Sequence, residues 1–534
     1  FAYLIGFAMS HSFKGHRRCR FSLVRPVVAM LATVAVLAAQ PAPRLTLEKA
    51  LSEALEHNLG LYTERLSTAN TAEGVVIEEA AFDWELFGDA EFRESRAAAR
   101  TSLLDNTSIP ESETRQFRTG AGKDFSTGTS LTLDTGLDRR ASNNNAARNP
   151  DYSADLGLSL RQPLLQGAGR EVNLAPLARA GLAYERSLFA LRSEVLDLLA
   201  ETELAYWDLV RSRASRALVQ SSIEQAEALL EENRERESLG LVTPLEVLQA
   251  ETILTQRQED LIQAERRIED ATDALLNIMG TRGLATAGRI DLQVGELPGE
   301  LQPVGPLSEV VETSLANDTE ASLQERVLEI ERIDRLLAGD AVKPQVDLVG
   351  GLRYSGRDSD GWVAYRGAAE EQSGYNWQAG IEVRFPWGQR EARARLRQAE
   401  RSVRAAEATL IELKQEKALA ARRAWREVDA GLERIKVARK SLALSEASFE
   451  QERARYQSGV IPYRNVLEAQ RDLDAARSNE LEVRADTLQA LVRLSRIDGS
   501  LLGRHGYSWE IAEPLPVPED LSEHPLYSDY LSDS

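Results

Sequence analysis

The sequence predicts an α+β membrane protein that combines long antiparallel coiled-coil helical hairpins, arranged as an α-barrel, with short β-strands. Three observations predict this class. Long stretches lack Gly and Pro, apolar residues recur in them at every seventh position, and separate segments of about ten residues alternate apolar and polar residues. A seven-residue repeat of apolar positions indicates supercoiled helices, and alternation of apolar with polar residues indicates strands with one apolar face.

The first 39 residues have the pattern of a secretory signal peptide. Five basic residues precede an apolar run from Val27 to Ala39, which is too short to span a bilayer as a helix. The only cysteine, Cys19, lies before this run, whereas a lipoprotein cysteine would follow it. Residues 1–39 are therefore predicted to be removed on export, with a retained anchor as the alternative.

A spacing of 219 residues relates the two halves of the chain and predicts a tandem duplication. The matched pairs are Gly169 and Gly388, Tyr206 and Trp425, Gly240 and Gly459, Val247 and Val466, Ala250 and Ala469, Leu275 and Leu494, and Gly280 and Gly499. The first repeat is predicted at residues 40–290 and the second at 305–502. A connector rich in Gly and Pro joins them at 291–304.

Each repeat contains a predicted long helical hairpin, at residues 170–280 and 389–499. Neither Gly nor Pro occurs from Leu182 to Leu239, which is enough for about 85 Å of helix. In the returning helices, apolar residues and Ala repeat every seven positions: Val247, Leu254, Leu261, Ile268 and Leu275, with Ala250, Ala264, Ala271 and Ile278; then Val466, Leu473 and Leu494, with Ala469, Ala476, Val483, Ala490 and Ile497. A fibrous coiled coil would show the same pattern, so the predicted strands are what distinguish an α+β membrane protein from it.

Four segments alternate in polarity and are predicted as transmembrane β-strands. They lie near residues 84–93, 152–161, 345–355 and 375–387. Apolar residues on one face, polar residues on the other and aromatic residues toward the ends match the strands of transmembrane barrels, although a soluble sandwich alternates too. Four strands cannot close a barrel, so several chains are expected to contribute to one barrel. The stretch at 115–138 is predicted as an extra hairpin.

Charge and residue types argue against other functions. The formal net charge is −20, and −25 without residues 1–39, which is unfavourable for binding nucleic acid. The five His are scattered, and no His or Cys cluster offers a metal site. We predict no catalytic residue, no cofactor and no metal, and therefore no enzyme. Residues 503–534 are predicted as an acidic, disordered tail.

The chain resembles the TolC family of outer-membrane efflux proteins over nearly all of residues 45–502. The resemblance rests on the duplicated plan of strands and long hairpins, and on local motifs that recur at matching distances. These motifs are Gln162-Pro163-Leu164-Leu165, Tyr206-Trp207-Asp208-Leu209, Leu239-Gly240-Leu241-Val242-Thr243-Pro244, and Tyr456-Gln457-Ser458-Gly459-Val460.

The resemblance implies a homotrimer in the bacterial outer membrane, with a twelve-stranded barrel in outer-membrane lipid and a helical tunnel in the periplasm. It also implies a periplasmic adaptor protein and an inner-membrane pump as partners. The expected function is the exit duct of a tripartite efflux pump or of a type I secretion system. The alternative is a soluble periplasmic coiled-coil scaffold or adaptor, which usually has one hairpin rather than two.

The resemblance also implies two sets of functional residues at the helical ends. The adaptor is expected to dock on the two helical tips, which are formed by Leu239, Gly240 and Leu241 and by Ser458, Gly459 and Val460. The expected periplasmic gate comprises Glu246, Tyr456, Asn465 and Glu468. Asn465 stands where the family has a carboxylate, and Ile461 replaces a basic latch residue, so the expected gate carries less charge.

Overall fold

The structure of the chain is a computed structural model that describes residues 44–96, 109, 111–143, 148–281, 290–370 and 374–509. The helices are α1 (Leu47–His57), α2 (Leu59–Ala80), α3 (Arg170–Asn173), α4 (Ala175–Ser238), α5 (Pro244–Ile278), α6 (Leu307–Ala316), α7 (Thr319–Asp340), α8 (Gly361–Ala369), α9 (Arg390–Gln457), α10 (Tyr463–Ile497) and α11 (Leu501–Arg504). The strands are β1 (Trp84–Arg96), β2 (Glu111–Asp124), β3 (Ser130–Ser142), β4 (Asp151–Pro163), β5 (Gln345–Asp358) and β6 (Gly374–Arg384).

Two long helical hairpins dominate the described residues, as predicted. Helix α4 has 64 residues and α9 has 68, which correspond to roughly 95 Å and 100 Å at the usual rise per residue. Each packs against its returning helix, α5 or α10, and the shorter α2 and α7 lie against the long helices. None of the helices in the described part of the chain has an apolar segment long enough to cross a bilayer.

The predicted heptad positions form the contacts within the hairpins. In α10, seven of the eight predicted seam residues are buried and Ile497 is half-buried; the buried residues are Val466, Ala469, Leu473, Ala476, Val483, Ala490 and Leu494. In α5, Val247, Ala250, Ala264, Ala271 and Leu275 are buried. Removing these side chains from water is the main force that holds helices of this length together. The seams read from the sequence are therefore confirmed.

One antiparallel sheet contains all the strands of the described residues, in the order β1-β2-β3-β4-β5-β6. It has two strands more than the four predicted, because the hairpin predicted as an extra at 115–138 is the middle of this sheet. Strand β2 pairs with β1 on one side and with β3 on the other, and β3 in turn pairs with β4. Strands β4 and β5 pair with each other, although they belong to the two halves of the chain that are predicted as separate repeats.

The largest apolar core joins the first and last helices of the described residues to the long helices. It contains buried residues of α1, α4, α10 and α11, together with Leu297 of the connector. Tyr507 and Trp509 pack partly buried against this core, although both were assigned to the disordered tail. The rest of that tail, residues 510–534, and the predicted signal peptide lie outside the described residues.

Candidate functional site

The sheet has one apolar face that is exposed in the chain. Directly paired residues of antiparallel strands point to the same face. One row across all six strands reads Leu86, Ala121, Leu133, Leu158, Leu352 and Trp377. Trp377 is 67% exposed and Leu86 is 81% exposed, so this face is not covered by the chain's own core. Apolar area of this extent on a surface marks contact with a membrane or a partner.

The opposite face of the same sheet is polar and charged. Its neighbouring row reads Phe87, Gly120, Asp134, Gly157, Arg353 and Asn376. The guanidinium of Arg353 lies 3.0 Å from a carboxylate oxygen of Asp134 and also pairs with Asp155. Arg357 pairs with Asp151 on this face. The sheet therefore separates an apolar from an ionic environment.

Both long hairpins turn at their far ends through the same backbone motif. Gly240 and Gly459 follow the last turns of α4 and α9 and have φ of +75° and +74°. After Gly240, the amide of Leu241 donates to the carbonyl of Arg236 at 2.9 Å. After Gly459, the amide of Val460 donates to the carbonyl of Arg455 at 3.0 Å. These hydrogen bonds satisfy carbonyl groups at the end of each helix, and Gly adopts the required left-handed backbone conformation without strain.

The residues around these glycines form an exposed apolar surface, which we call the tip patch: Leu239, Gly240 and Leu241 with Ser458, Gly459 and Val460. Leu239, Leu241 and Val460 are 73%, 71% and 66% exposed. A Cβ added to either glycine would meet no described atom within 4 Å. Gly240 and Gly459 therefore terminate their helices and also leave open space beside the exposed apolar side chains of the tip patch.

A buried polar cluster joins the two hairpins just before the tips. Tyr456 of α9 is 4% exposed, and its hydroxyl donates to the side-chain oxygen of Asn233 at 2.7 Å. The guanidinium of Arg236 lies 4.4 Å from the centre of the Tyr456 ring and pairs with Glu232. Arg236 also donates to the carbonyls of Tyr456 and Gln457 at the end of α9. Because α4 supplies all these partners, the contacts tie the first hairpin to the second within one chain.

The hydroxyls of this cluster are protonated at neutral pH. Burial raises the pKa of Tyr456, although the charge of Arg236 opposes the shift. Tyr463, whose ring centre lies 5.5 Å from that of Tyr456, is buried as well, and burial raises its pKa further. Both hydroxyls therefore keep their protons over the physiological range, and that of Tyr456 donates to Asn233 throughout it.

The predicted gate carboxylates have local partners in the single chain. Glu246 completes a capping box with Thr243 at the start of α5, where its carboxylate accepts from the Thr243 amide at 3.2 Å. Glu468 is 58% exposed and forms an ion pair with Arg464 at 2.9 Å. Asn465 is exposed on the same first turns of α10. Tyr456 is the one predicted gate residue that is buried.

Sequence reasoning missed Asn233, Arg236 and Arg464. Asn233 lies seven residues after the buried Ala226, four after Leu229 and three after Leu230. It therefore occupies a position of the heptad pattern that is normally apolar. A polar residue at such a position is a recognisable sign that it has a specific partner. Arg464 stands four residues before Glu468, a spacing that places them together on a helix. Within the described residues, no group of three or more His, Cys, Asp or Glu is arranged to hold a metal ion.

Several solved bacterial membrane proteins, among them outer-membrane channels, have a similar fold. A membrane protein from Pseudomonas aeruginosa superimposes with a TM-score of 0.63 and 20% sequence identity over 88% of this chain and 91% of that chain. The Campylobacter jejuni CmeC outer membrane channel gives 0.62 and 16% over 88% and 87%. The open state of the Neisseria gonorrhoeae MtrE outer membrane channel gives 0.59 and 18% over 85% and 88%. At these identities the likeness concerns the fold.

The sequence itself identifies the family. No curated protein sequence matches the chain significantly. The family described as outer membrane efflux protein, however, matches residues 129–281 and 322–500, which is well over half of the chain. The two matched ranges contain both long hairpins, both tips and most of the sheet. The chain therefore belongs to the outer membrane efflux protein family.

Proposed function

We propose that three copies of this chain form an outer-membrane exit duct, which receives substrate from an inner-membrane pump through a periplasmic adaptor. The single observation that carries the proposal is the two-faced sheet. One face presents Leu86, Leu133 and Trp377, and the other presents Asp134 and Arg353. The wall of a transmembrane β-barrel has this arrangement, with its apolar face toward lipid and its polar face toward water.

The open edges of the sheet support assembly with other copies. Strand β1 and strand β6 each have one partner among the described strands, so each leaves one row of backbone groups unpaired in the chain. A membrane cannot hydrogen-bond such groups, and six strands are fewer than the eight of small closed barrels. Closure by three copies supplies the missing partners and brings eighteen strands together, rather than the twelve expected from the family resemblance.

The tip patch is proposed as the docking surface for the adaptor. Its apolar side chains are exposed, and the open space at Gly240 and Gly459 allows a partner backbone to approach closely. Burying such side chains contributes about 25 cal/mol for each Å² removed from water. The same surface serves a tripartite efflux pump or a type I secretion system, because both present an adaptor to the duct.

The cluster around Tyr456 is proposed as the closure of the periplasmic end. Its contacts hold α9 against α4 just before the tips, so breaking them lets the hairpins separate. Glu468 and Asn465 are proposed to face the pore near this point, where three copies would repeat each side chain around the axis.

Membrane fractionation followed by bilayer recording tests the assembly. The mature chain is expected in the outer-membrane fraction, to require detergent for extraction, and to run as a heat-sensitive trimer. The purified trimer should then conduct ions across a planar bilayer. A detergent-free soluble monomer would refute the duct and favour the alternative of a periplasmic scaffold.

A further inference from the structure

Helix α8 is a feature that the sequence analysis did not anticipate. It spans Gly361–Ala369, between the end of β5 and the start of β6, and therefore lies at the end of the sheet distant from the long helices. Its first turn is fixed by Asp360, whose carboxylate accepts from the amides of Trp362 and Val363 at 2.9 and 3.1 Å. Asp360 thus fixes the start of the helix directly after the end of β5.

The helix packs on the apolar face of the sheet. Ala364 and Ala368 are each 1% exposed and pack against Ala154 of β4. A Cβ at Gly356 of β5 would overlap the backbone of both helix residues, so this glycine permits the close approach. Gly356 pairs with Ala154, and Ala154 pairs with Leu137. Because paired residues share a face, α8 covers the side of the sheet that carries Leu133 and Trp377.

The outward side of α8 carries exposed apolar side chains, next to the half-buried ring of Tyr365, which also packs against the cluster of Ala154, Ala364 and Ala368. Trp362 is 66% exposed and Val363 is 49% exposed. The rings of Trp362 and Tyr365 stack with their centres 6.2 Å apart and their planes 14° from parallel. A large apolar ring that is left exposed in an otherwise well packed helix indicates a neighbour outside the chain. Trp and Tyr side chains of this kind collect where a bilayer meets water.

The height of α8 along the sheet fits that boundary. Phe385 directly follows β6, and Tyr375 lies ten residues earlier near the distal end of the strand. That distance is roughly 33 Å along a strand, or about 25 Å at a tilt of about 40°, which equals the height of the apolar band of outer-membrane proteins. Tyr375 pairs with Tyr354, and α8 contacts β5 at Gly356, two residues farther toward the distal end. Helix α8 therefore begins where the apolar band ends.

We infer that α8 is an interfacial anchor, which lies in the lipid headgroup layer at the distal end of the sheet and inserts the Trp362–Tyr365 pair into that layer. The inference rests on the proposed function, because it requires the apolar face to contact lipid. It adds a specific lipid-binding element that fixes the height of the duct in the bilayer. Interfacial aromatic residues set membrane depth and tilt in this manner.

Depth-dependent fluorescence quenching tests the position of α8. The only cysteine, Cys19, lies in the predicted signal peptide, so Val363→Cys gives the mature chain a single site for a fluorophore. The full-length trimer is reconstituted in vesicles of phosphatidylcholine and phosphatidylglycerol that contain nitroxide lipids labelled near the headgroup or deep in the acyl chain. Two control sites are Ile381→Cys, in the middle of the apolar face, and Val437→Cys, which is exposed on α9.

The label at position 363 should be quenched more strongly by the shallow nitroxide, the label at 381 more strongly by the deep one, and the label at 437 by neither. Quenching at 381 without quenching at 363 would overturn the interfacial anchor and leave the duct intact. Stronger deep quenching at 363 would also overturn it. Absence of quenching at 381 would overturn the proposed function and the anchor together.

A second set of variants tests the aromatic pair itself. Trp362→Ala combined with Tyr365→Ala should cause loss of shallow quenching at position 363 and leave deep quenching at 381 unchanged. Trp362→Tyr, which retains an interfacial aromatic ring, should preserve both signals. If the double alanine variant keeps full shallow quenching at 363, the pair does not anchor the helix and the inference fails.

Discussion

The hydroxyl of Tyr456 donates a 2.7 Å hydrogen bond to the side chain of Asn233, and this bond joins the last turns of the two longest helices. Asn233 is 0% exposed, so its side chain has no access to water and depends on partners within the chain. A buried polar group of this kind makes the contact between the hairpins sensitive to small changes.

Removing the Tyr456 hydroxyl is expected to open the periplasmic end. Tyr456→Phe leaves the buried Asn233 oxygen without its donor, which costs about 1–3 kcal/mol and weakens the contact between α4 and α9. Bilayer recordings should show a larger conductance in the resting trimer. Tyr184→Phe, which lies on α4 far from the tips, is the matched control. Equal conductance of Tyr456→Phe and the unmodified protein would contradict a closing role.

Blocking the tip patch is expected to abolish transport while the trimer remains folded. Gly240→Arg and Gly459→Arg place a long charged side chain in open space, so they do not collide with the chain, although the positive φ adds about 1–2 kcal/mol of local strain. Gly240→Asn is the control, since Asn tolerates this backbone conformation. Trimer content and substrate export should both be measured. Normal export by the double Arg variant would exclude docking at these glycines.

Ion selectivity should depend on Arg464 as much as on Glu468. The two form an exposed ion pair, so in a trimer three Arg charges oppose three carboxylates. Arg464→Ala should raise the preference for cations, whereas Glu468→Ala should lower or reverse it. Reversal potentials in a salt gradient measure both effects. Identical selectivity in the two variants would remove these residues from the pore.

The two faces of β6 should respond differently to a new charge. Ile381→Arg places a guanidinium on the apolar face, at a cost of about 2–4 kcal/mol near the middle of a bilayer. Asn376→Arg places it on the polar face of the same strand and should be tolerated. The amount of heat-sensitive trimer in the outer-membrane fraction reports the difference. Equal trimer levels would mean that neither face contacts lipid.

Acid is expected to loosen the C-terminal segment. Glu203 is fully buried and would have a raised pKa from burial, but the hydrogen bond from His505, the charge of Arg504 and the Trp207 indole outweigh this and lower its pKa below the ordinary 4.5. A lowered folded-state pKa contributes stability above 4.5 that is lost as the pH falls through the folded-state value.

Hydrogen exchange over residues 501–509 measures this effect. Protection should decrease between neutral pH and about pH 3 in the unmodified protein, because protonation of Glu203 removes its attraction for Arg504. Glu203→Gln should show low protection at both values and little change between them. Equal, pH-independent protection in both proteins would show that the pair does not hold the segment.

The long helices could be predicted because their signal is repetitive. Val466, Leu473 and Leu494 fall on one heptad seam, and all three are buried. The two tips could also be predicted, because Gly240 and Gly459 lie where the long helical patterns end. Such patterns reflect the pairwise packing of neighbouring helices, which depends on local sequence spacing.

The sheet was harder to predict because some of its strands lack a clear alternation. Strand β2 contains Phe117 but is mostly polar, and its place between β1 and β3 depends on pairing rather than on its own residues. Helix α8 was missed because nine residues with two glycines carry little helical signal. The partners of Tyr456 lie 220 residues or more away in sequence, a separation that no local pattern encodes.

The six-strand count of the sheet bears on the width of the proposed duct. Strands about 4.8 Å apart and tilted by about 40° each occupy roughly 6.3 Å of circumference, so one chain contributes an arc of about 38 Å. The four helices of the same chain that adjoin the sheet, α2, α4, α7 and α9, contribute roughly 32–40 Å at a spacing of about 8–10 Å. The two arcs nearly agree. A trimer built from this chain can therefore keep a constant bore from its helical section into the membrane, without a funnel at the junction.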